Sequence, residues 1–424
     1  KNKSYVTVTS DSKSVFFLEG GKVKKCGIDG SDAETLSFKA RMEIDHLSNN
    51  RQKFNESWAM LNEYFYDPKF HGADWEATRR KYEPAVDHVR TDRDFRDLLL
   101  ELMGELRASH LNAYSNEPGP SKNIETGRTG IVIDYHTLDL DGMFRISHVV
   151  PESPAATAGI KPGEYIRSIA GVPLSRETNI NRLLAGTEGL RLVMTTSYRP
   201  DGKGEDIKLK PVSNSEIRNL EYKDWVKGRR HVVDSLSGGK LAYIHIPRMA
   251  GDRLEIFKQE LVSIAEPKDG LIIDVRDNGG GNIAVHLLGI LVKTPYFLRN
   301  FRGFPTTSEN KMRSNALEKP MALLINNYSA SNSEIFAEGF RKLKLGKIIG
   351  EPTSGAVIGT SSYTLIDGSR IRRPSWGAFT AEMEDTDLKS RQPDILVENL
   401  PDDFMNGRDP QLVRAVEELM SELL

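Results

Sequence analysis

Ser329, Ser331 and Ser333 crowd five positions of NNYSASNSEIFAEGF (326–340), just ahead of an apolar run. A serine hydroxyl is a weak nucleophile near neutral pH. An imidazole titrating near ~6.5 can take its proton, and two N–H groups can hold the oxyanion that forms. Ser331 with Glu334 three residues on also spells a capping box, which would satisfy backbone N–H groups and do no chemistry. The flanks favour a nucleophile. MALLIN (321–326) is an apolar run of buried-strand type, and Ile335, Phe336, Phe340 and Leu343 recur at helical spacing. Strand, tight turn, serine, helix lifts a hydroxyl to the end of a sheet and points the N–H groups of the helix start at its target.

A second stretch could serve the first. GLIIDV (270–275) runs into RDNGGGN (276–282), and glycine lets a backbone N–H approach a ligand closely. The same string also reads as a flexible turn before a helix. It lacks the spacing of a nucleotide P-loop and no lysine follows the glycines, so an oxyanion hole is favoured over a phosphate cradle.

These elements must be positioned by a chain of 424 residues, long enough for about two to four domains. With 58 basic and 60 acidic residues the net charge is −2, which asks for neither nucleic acid nor an anionic membrane. The single cysteine, Cys26, excludes an internal disulfide, no Cys/His spacing suggests zinc, and no cofactor is implied. No run approaches the ~20 apolar residues of a membrane span. The first residue is Lys1 rather than Met, so a leader or upstream domains could have been removed. The compartment stays open, with the cytoplasm favoured and a periplasmic or secreted location allowed.

Residues 1–46 alternate in the strand manner around a Gly-Gly turn and look like the end of a larger β structure. From 47 to 117 the period is helical: Phe54, Trp58, Leu61 and Phe65 form one stripe, and Phe95, Leu98, Leu99, Leu102, Met103 and Leu106 another, opened by a capping box at Thr91 and Asp94. NEPGPS (116–121) is a linker by composition. The β-rich stretch 118–213 contains VVPESPAATAGIKPGEYIRSIAGVPL, which closely resembles a PDZ domain of the bacterial protease type. That resemblance implies capture of an extended peptide at a sheet edge, its carboxylate held by backbone N–H groups. The candidate loop is GRTGIVI, with Arg128 beside it, Gly130 leaving backbone exposed, and Ile131 opening the strand. Arg128 reads equally well as a solvated charge. From 214 to 424 strands and helices alternate, which predicts an α/β layer with a largely parallel sheet and an active site at its carboxyl edge.

DVRDNGGG, then NNYSASNSEIFA, then LGKIIGEPTSG, in that order, resemble the C-terminal processing peptidases and tricorn proteases. The resemblance implies a PDZ domain ahead of a crotonase-like α/β catalytic domain, with a helical cap domain and an N-terminal β segment. In processing peptidases a lysine activates the serine from a T-x-G-K string; here Thr353-Ser354-Gly355 is followed by Ala356. Tricorn-type enzymes instead carry their histidine in a G-E-L-x-x-S-H string, and this chain has Gly104-Glu105-Leu106-Arg107-Ala108-Ser109-His110.

The resemblance therefore implies Ser331 as nucleophile, His110 as general base, and an oxyanion hole from the N–H of Asn332 and of Gly280, or of Gly279. Ser329 and Ser333 become turn and helix-cap hydroxyls. The orienting carboxylate, acting through Ser109, falls at Asp387, six residues before Pro393 of a P-D-I motif where the family has Glu. Either the loop closes in around this shorter side chain or Glu384 substitutes. Asn332, Asp in the family, is a second departure. NGRDPQLVRAVEEL (406–419) resembles the family's closing helix.

The expectation is a serine endopeptidase acting on unfolded proteins or oligopeptides without metal or nucleotide, oligomeric by analogy, and a C-terminal portion or shortened relative of a tricorn-type protease. Serine and histidine then lie in domains that must dock, within one chain or between subunits. The rivals are a Ser/Lys processing peptidase, a catalytically decayed PDZ peptide-binding protein, and acyl-CoA chemistry on the same fold. Arg299 and Arg302, between the two turn motifs, could favour acidic side chains, or be surface charge.

Overall fold

The computed structural model describes residues 3–37, 43–116, 125–292, 298–300, 302–303, 307–308 and 319–424. Beyond Asn116, the linker expected at 116–121 lies outside them. Strands β1 (Lys3–Val8), β2 (Ser14–Glu19), β3 (Lys22–Gly27) and β4 (Glu34–Thr35) make an antiparallel meander. Gly20 and Gly21 both take positive φ in the β2–β3 turn, as a tight hairpin with right-twisting strands requires. Phe17 is the one buried residue described there, so this sheet carries little core of its own.

Helices α1 (His46–Tyr64), α2 (Trp75–Tyr82) and α3 (Asp92–Gly104) follow. The two apolar stripes turn inward as their spacing demands. Phe54, Trp58, Leu61, Phe65, Phe95, Leu99, Leu102, Met103 and Leu106 are buried, with Leu98 at the margin. Thr91 and Asp94 exchange the two bonds of a capping box at 3.1 and 3.0 Å.

The chain next forms β5 (Asn112–Tyr114), β6 (Ile131–Ile133), α4 (Tyr135–Asp141), β7 (Phe144–Val149), α5 (Pro154–Thr157), β8 (Tyr165–Ile169), β9 (Val172–Pro173), α6 (Ile180–Leu184), β10 (Leu192–Ser197) and β11 (Glu205–Leu209). Strands run β11-β10-β8-β7-β6, all antiparallel, with β6 at the edge facing α6. This is the PDZ fold.

Helix α7 (Asn214–Ser237) leads into β12 (Leu241–His245), α8 (Gly251–Glu260), β13 (Gly270–Asp274), α9 (Ala284–Leu291), β14 (Leu298–Arg299), β15 (Thr307–Ser308), β16 (Met321–Ile325), α10 (Asn332–Lys342), β17 (Gly346–Gly350), β18 (Ile358–Thr364), β19 (Arg370–Gly377), β20 (Ile395–Leu396), α11 (Pro401–Met405) and α12 (Pro410–Glu422). The sheet β12-β13-β16-β17-β20 is parallel throughout. Every residue of β13 and β16 is buried, which is why those strands read as unbroken apolar runs: helices cover both faces. Phe257, Leu287, Phe336 and Phe340 pack on one side, Val226, Val233, Leu412 and Leu419 on the other.

The hairpin β18–β19 leaves this layer and pairs antiparallel with β5, Ile371 opposite Ala113 and Arg372 opposite Asn112. Leu365 and Ile371 thereby join the core of the helical unit, and buried Lys53 meets Asp367 at 2.9 Å. The helical unit and the parallel sheet dock within one chain. No helix of the described residues is long and apolar enough to cross a membrane.

Candidate active site

Ser331 stands between β16 and α10 with φ 58° and ψ −118°, a strained conformation for a residue with a side chain. Its hydroxyl makes no cap hydrogen bond; the helix start is served instead by Glu334, whose Oε2 accepts the Ser331 N–H at 2.8 Å. The flanking serines are buried staples. Ser329 Oγ donates to the Val275 carbonyl, and Ser333 Oγ lies 2.8 Å from the carbonyls of Asn278 and Ala330. Both tie the serine turn to the glycine turn, leaving Ser331 as the uncommitted hydroxyl of the three.

The glycine turn lies directly against it. A Cβ at Gly280 (φ 97°) would sit 2.7 Å from Ser331 Cβ and 2.9 Å from Asn332 N, and one at Gly281 1.9 Å from the Met249 carbonyl. Glycine is therefore required by contact as well as by φ. The Gly280 N–H does not point free, as the first expectation had it. It donates to Asn278 Oδ1 at 2.9 Å, and Asn278, fully buried, is anchored by Nδ2 on the Ile246 carbonyl. Among the described residues, the Gly279 and Asn332 amides take no intramolecular partner. The Asn332 side chain has work elsewhere: its Oδ1 accepts the Ala284 N–H at the start of α9. An aspartate oxygen would accept the same bond.

Beyond α3 the chain bends through Arg107 (φ 45°) and His110 (φ 61°), with Leu106 locked in the helical core. Ser109 is held by Asp387, N–H to Oδ2 at 2.9 Å and Oγ to Oδ1 at 2.6 Å, and Oδ1 also accepts the Val357 N–H. Asp387 is only 6% exposed. Its side chain reaches Ser109 from a loop held by bonds from the Thr380 N–H to the Glu384 carbonyl and from the Thr386 N–H to the Ala378 carbonyl. The alternative acid, Glu384, bonds Thr380 through its own N–H and carbonyl, and among the described residues its carboxylate makes no hydrogen bond to Ser109. His110 Nε2 is buried without a hydrogen-bond partner. Burial and then the Arg372 charge push the His110 pKa down, against Asp387 and a hydrogen bond with the Ala356 backbone.

Arg372 and Asn278 escaped the reading from sequence. Asn278 had a signal, being the residue ahead of the glycines. Arg372 had none, since only the β5–β19 pairing sets it beside His110. Arg302 is exposed, and the Arg299 side chain lies outside the described residues.

In the PDZ unit a groove of about 310 Å³ runs between β6 and α6, lined by Ile131, Ile133, Ile180, Leu184 and Ile217. The expected carboxylate loop is less open than its sequence suggests. Gly127 and Arg128 spend their N–H groups on the carbonyls of Leu184 and Val212. Gly130 is buried, and is glycine because a Cβ would lie 2.2 Å from that of Ser153. Ile131 begins the edge strand, and Arg128 Nε is buried without a partner.

Helices on both faces of a parallel sheet, a serine on a strained strand-to-helix turn and a PDZ unit ahead of them define an S41-class serine peptidase fold. Residues 240–397 match Peptidase family S41, 48–104 the Tricorn protease C1 domain and 145–196 a PDZ domain. The chain belongs with the tricorn proteases: it is 31% identical over 433 residues to Tricorn protease homolog 1 of Streptomyces coelicolor, covering 96% of this chain and 39% of that protein. To the Tricorn protease of Thermoplasma acidophilum it is 28% identical over 443 residues, covering 100% and 40%. A crystal structure of the tricorn protease superposes with TM-score 0.84 at 25% identity, over 100% of this chain and 42% of that one. The chain thus spans about two fifths of the length of these relatives.

Proposed function

We propose that this chain is a tricorn-type serine endopeptidase that hydrolyses unfolded proteins or oligopeptides through an acyl-enzyme. The observation that carries it is the Ser109–Asp387 clamp beside His110, whose Nε2 is buried and unpaired. Ser331 Oγ attacks the scissile carbonyl carbon while His110 Nε2 takes its proton. The tetrahedral oxyanion is held by the Asn332 N–H and a glycine amide, Gly279 by its free N–H, or Gly280 only by giving up its bond to Asn278 Oδ1. Collapse breaks the C–N bond as the imidazolium protonates the leaving amine; water, deprotonated by His110, then frees the acyl group. Ser109 and Asp387 orient the histidine segment.

We further assign four domains at 1–46, 47–117, 118–213 and 214–424, peptide capture at the β6 edge near Arg128, Gly130 and Ile131, and a homo-oligomer. Ala356 supplies no amine, which disfavours a Ser/Lys mechanism. Both departures from the family also find physical roles, Asp387 on Ser109 and Asn332 on Ala284, which disfavours a decayed site.

Labelling with a fluorophosphonate probe tests the reading. The parent should label, and Ser331→Ala and His110→Ala should lose label at equal folded concentration. Undiminished labelling of His110→Ala would overturn the assigned base.

A further inference from the structure

Glu334 was legible in the sequence only as a helix cap, yet it is fully buried and its carboxylate accepts four hydrogen bonds from two segments. Oε1 accepts Thr353 Oγ1 at 2.6 Å and the Gly355 N–H at 2.7 Å. Oε2 accepts the Ser331 N–H at 2.8 Å and the Ala356 N–H at 2.9 Å. One bond belongs to the nucleophile turn and three to the loop 353–356. That loop continues into the base half of the site: the Ala356 backbone lies close enough to His110 to raise its pKa, and the next residue, Val357, donates to Asp387. Ser354 N–H reaches the Ser329 carbonyl as a second tie between loop and turn.

We infer that Glu334 is a positioning residue that sets the distance between Ser331 and His110 by clamping the nucleophile turn to the loop carrying the histidine's contacts. This rests on the serine-peptidase reading above. Two consequences follow from its geometry. The Ser331 N–H is occupied, so oxyanion donation falls to Asn332 and the glycine turn. The clamp also has to be a carboxylate, because every partner is a donor. A glutamine amide group placed at Oε2 would face the Ser331 and Ala356 N–H groups, and placed at Oε1 it would face Gly355 N–H; neither orientation fits. The loop position where processing peptidases carry their activating lysine is here occupied by Ala356, whose backbone is part of the clamp.

The experiment compares the parent, Glu334→Gln, Glu334→Asp and Thr353→Val by rate of fluorophosphonate labelling of Ser331 per folded molecule, by kcat and KM on an unfolded peptide, and by thermal melting. A misplacement near 1 Å lowers rate about 100-fold, so Glu334→Gln should lose labelling rate and kcat on that scale with KM little changed. Glu334→Asp, still all-acceptor, should recover part of the loss. Thr353→Val removes one donor to Glu334, along with the acceptor of the Arg391 N–H, and should lower the rate less, and it serves in place of Glu334→Gln if that variant does not fold. A Glu334→Gln protein that melts lower but labels at the parent rate per folded molecule makes Glu334 merely structural and overturns the inference, as does an unaffected Thr353→Val when it is the only variant that folds. A parent that fails to label sinks the serine-peptidase reading and this inference together; a labelling parent with an unaffected variant sinks this inference alone.

Discussion

Arg276 and Ser331 follow adjacent strands, β13 and β16, at the carboxyl edge of one sheet, in opposite polar surroundings. Arg276 is saturated. Its guanidinium meets Asp274 at 2.7 Å, Asp409 at 2.8 Å and Gln411 at 3.0 Å, and Tyr243 adds a hydroxyl bond to Asp274. Burial would raise the Asp274 pKa, but the Arg276 charge holds it below the usual carboxylate range. Around Ser331, polar atoms are instead left without partners: the serine hydroxyl has no cap bond, His110 Nε2 is unpaired, and so are the Gly279 and Asn332 amides. Of these, His110 Nε2 is buried, and a buried donor or acceptor without a partner costs about 1–3 kcal/mol. The first cluster holds the glycine turn to α12; on the proposed function, the second leaves its hydrogen-bonding groups for a reacting substrate.

Removing the cation from the saturated cluster should have the largest effect. Arg276→Met leaves Asp274 buried without its cationic partner and Asp409 with only Arg229 at 3.4 Å, and should lower unfolding free energy by about 3–5 kcal/mol, read from the denaturant midpoint. A loss below about 1 kcal/mol would erase the contrast between the clusters. Next comes Asp387→Asn. Its amide nitrogen must face either the Ser109 or the Val357 N–H, so kcat should fall ~100-fold or more, with a stability loss of only about 1–3 kcal/mol from the mismatched donors. If Glu384→Gln shows that loss and Asp387→Asn does not, the orienting acid has been misassigned.

The smallest effect sharpens the electrostatics of the open cluster. Because the His110 pKa is lowered, its neutral, proton-accepting form persists below the ordinary value near ~6.5, and the acid limb of kcat/KM should lie below that pH. Arg372→Ala removes a positive charge that disfavours the imidazolium, so the limb should move up. Asp387→Asn removes a negative charge that favours it, so the limb should move down. Shifts of the same sign in both variants would show that neither charge acts on His110.

The local parts were legible because their causes are local. Apolar runs declared β13 and β16, glycines declared a turn that nothing larger fits, and Thr91 with Asp94 announced the start of α3. The S-x-x-E string correctly marked the start of α10 but concealed what Glu334 does, since three of its four partners lie near residue 355. Gly280 was chosen on motif, and only the Asn278 side chain shows where its N–H points.

Sequence by itself determined the element order, the strained serine turn, the glycine approach and the histidine string, because periodicity and turn chemistry act over a few neighbouring residues. Tertiary structure alone decided that Asp387 rather than Glu384 meets Ser109 across 278 residues, that β19 pairs with β5 to bring Arg372 beside His110, and that the loop 353–357 joins both halves of the site. Those contacts depend on how separate cores dock, and no local pattern encodes a distance between residues that far apart in the chain.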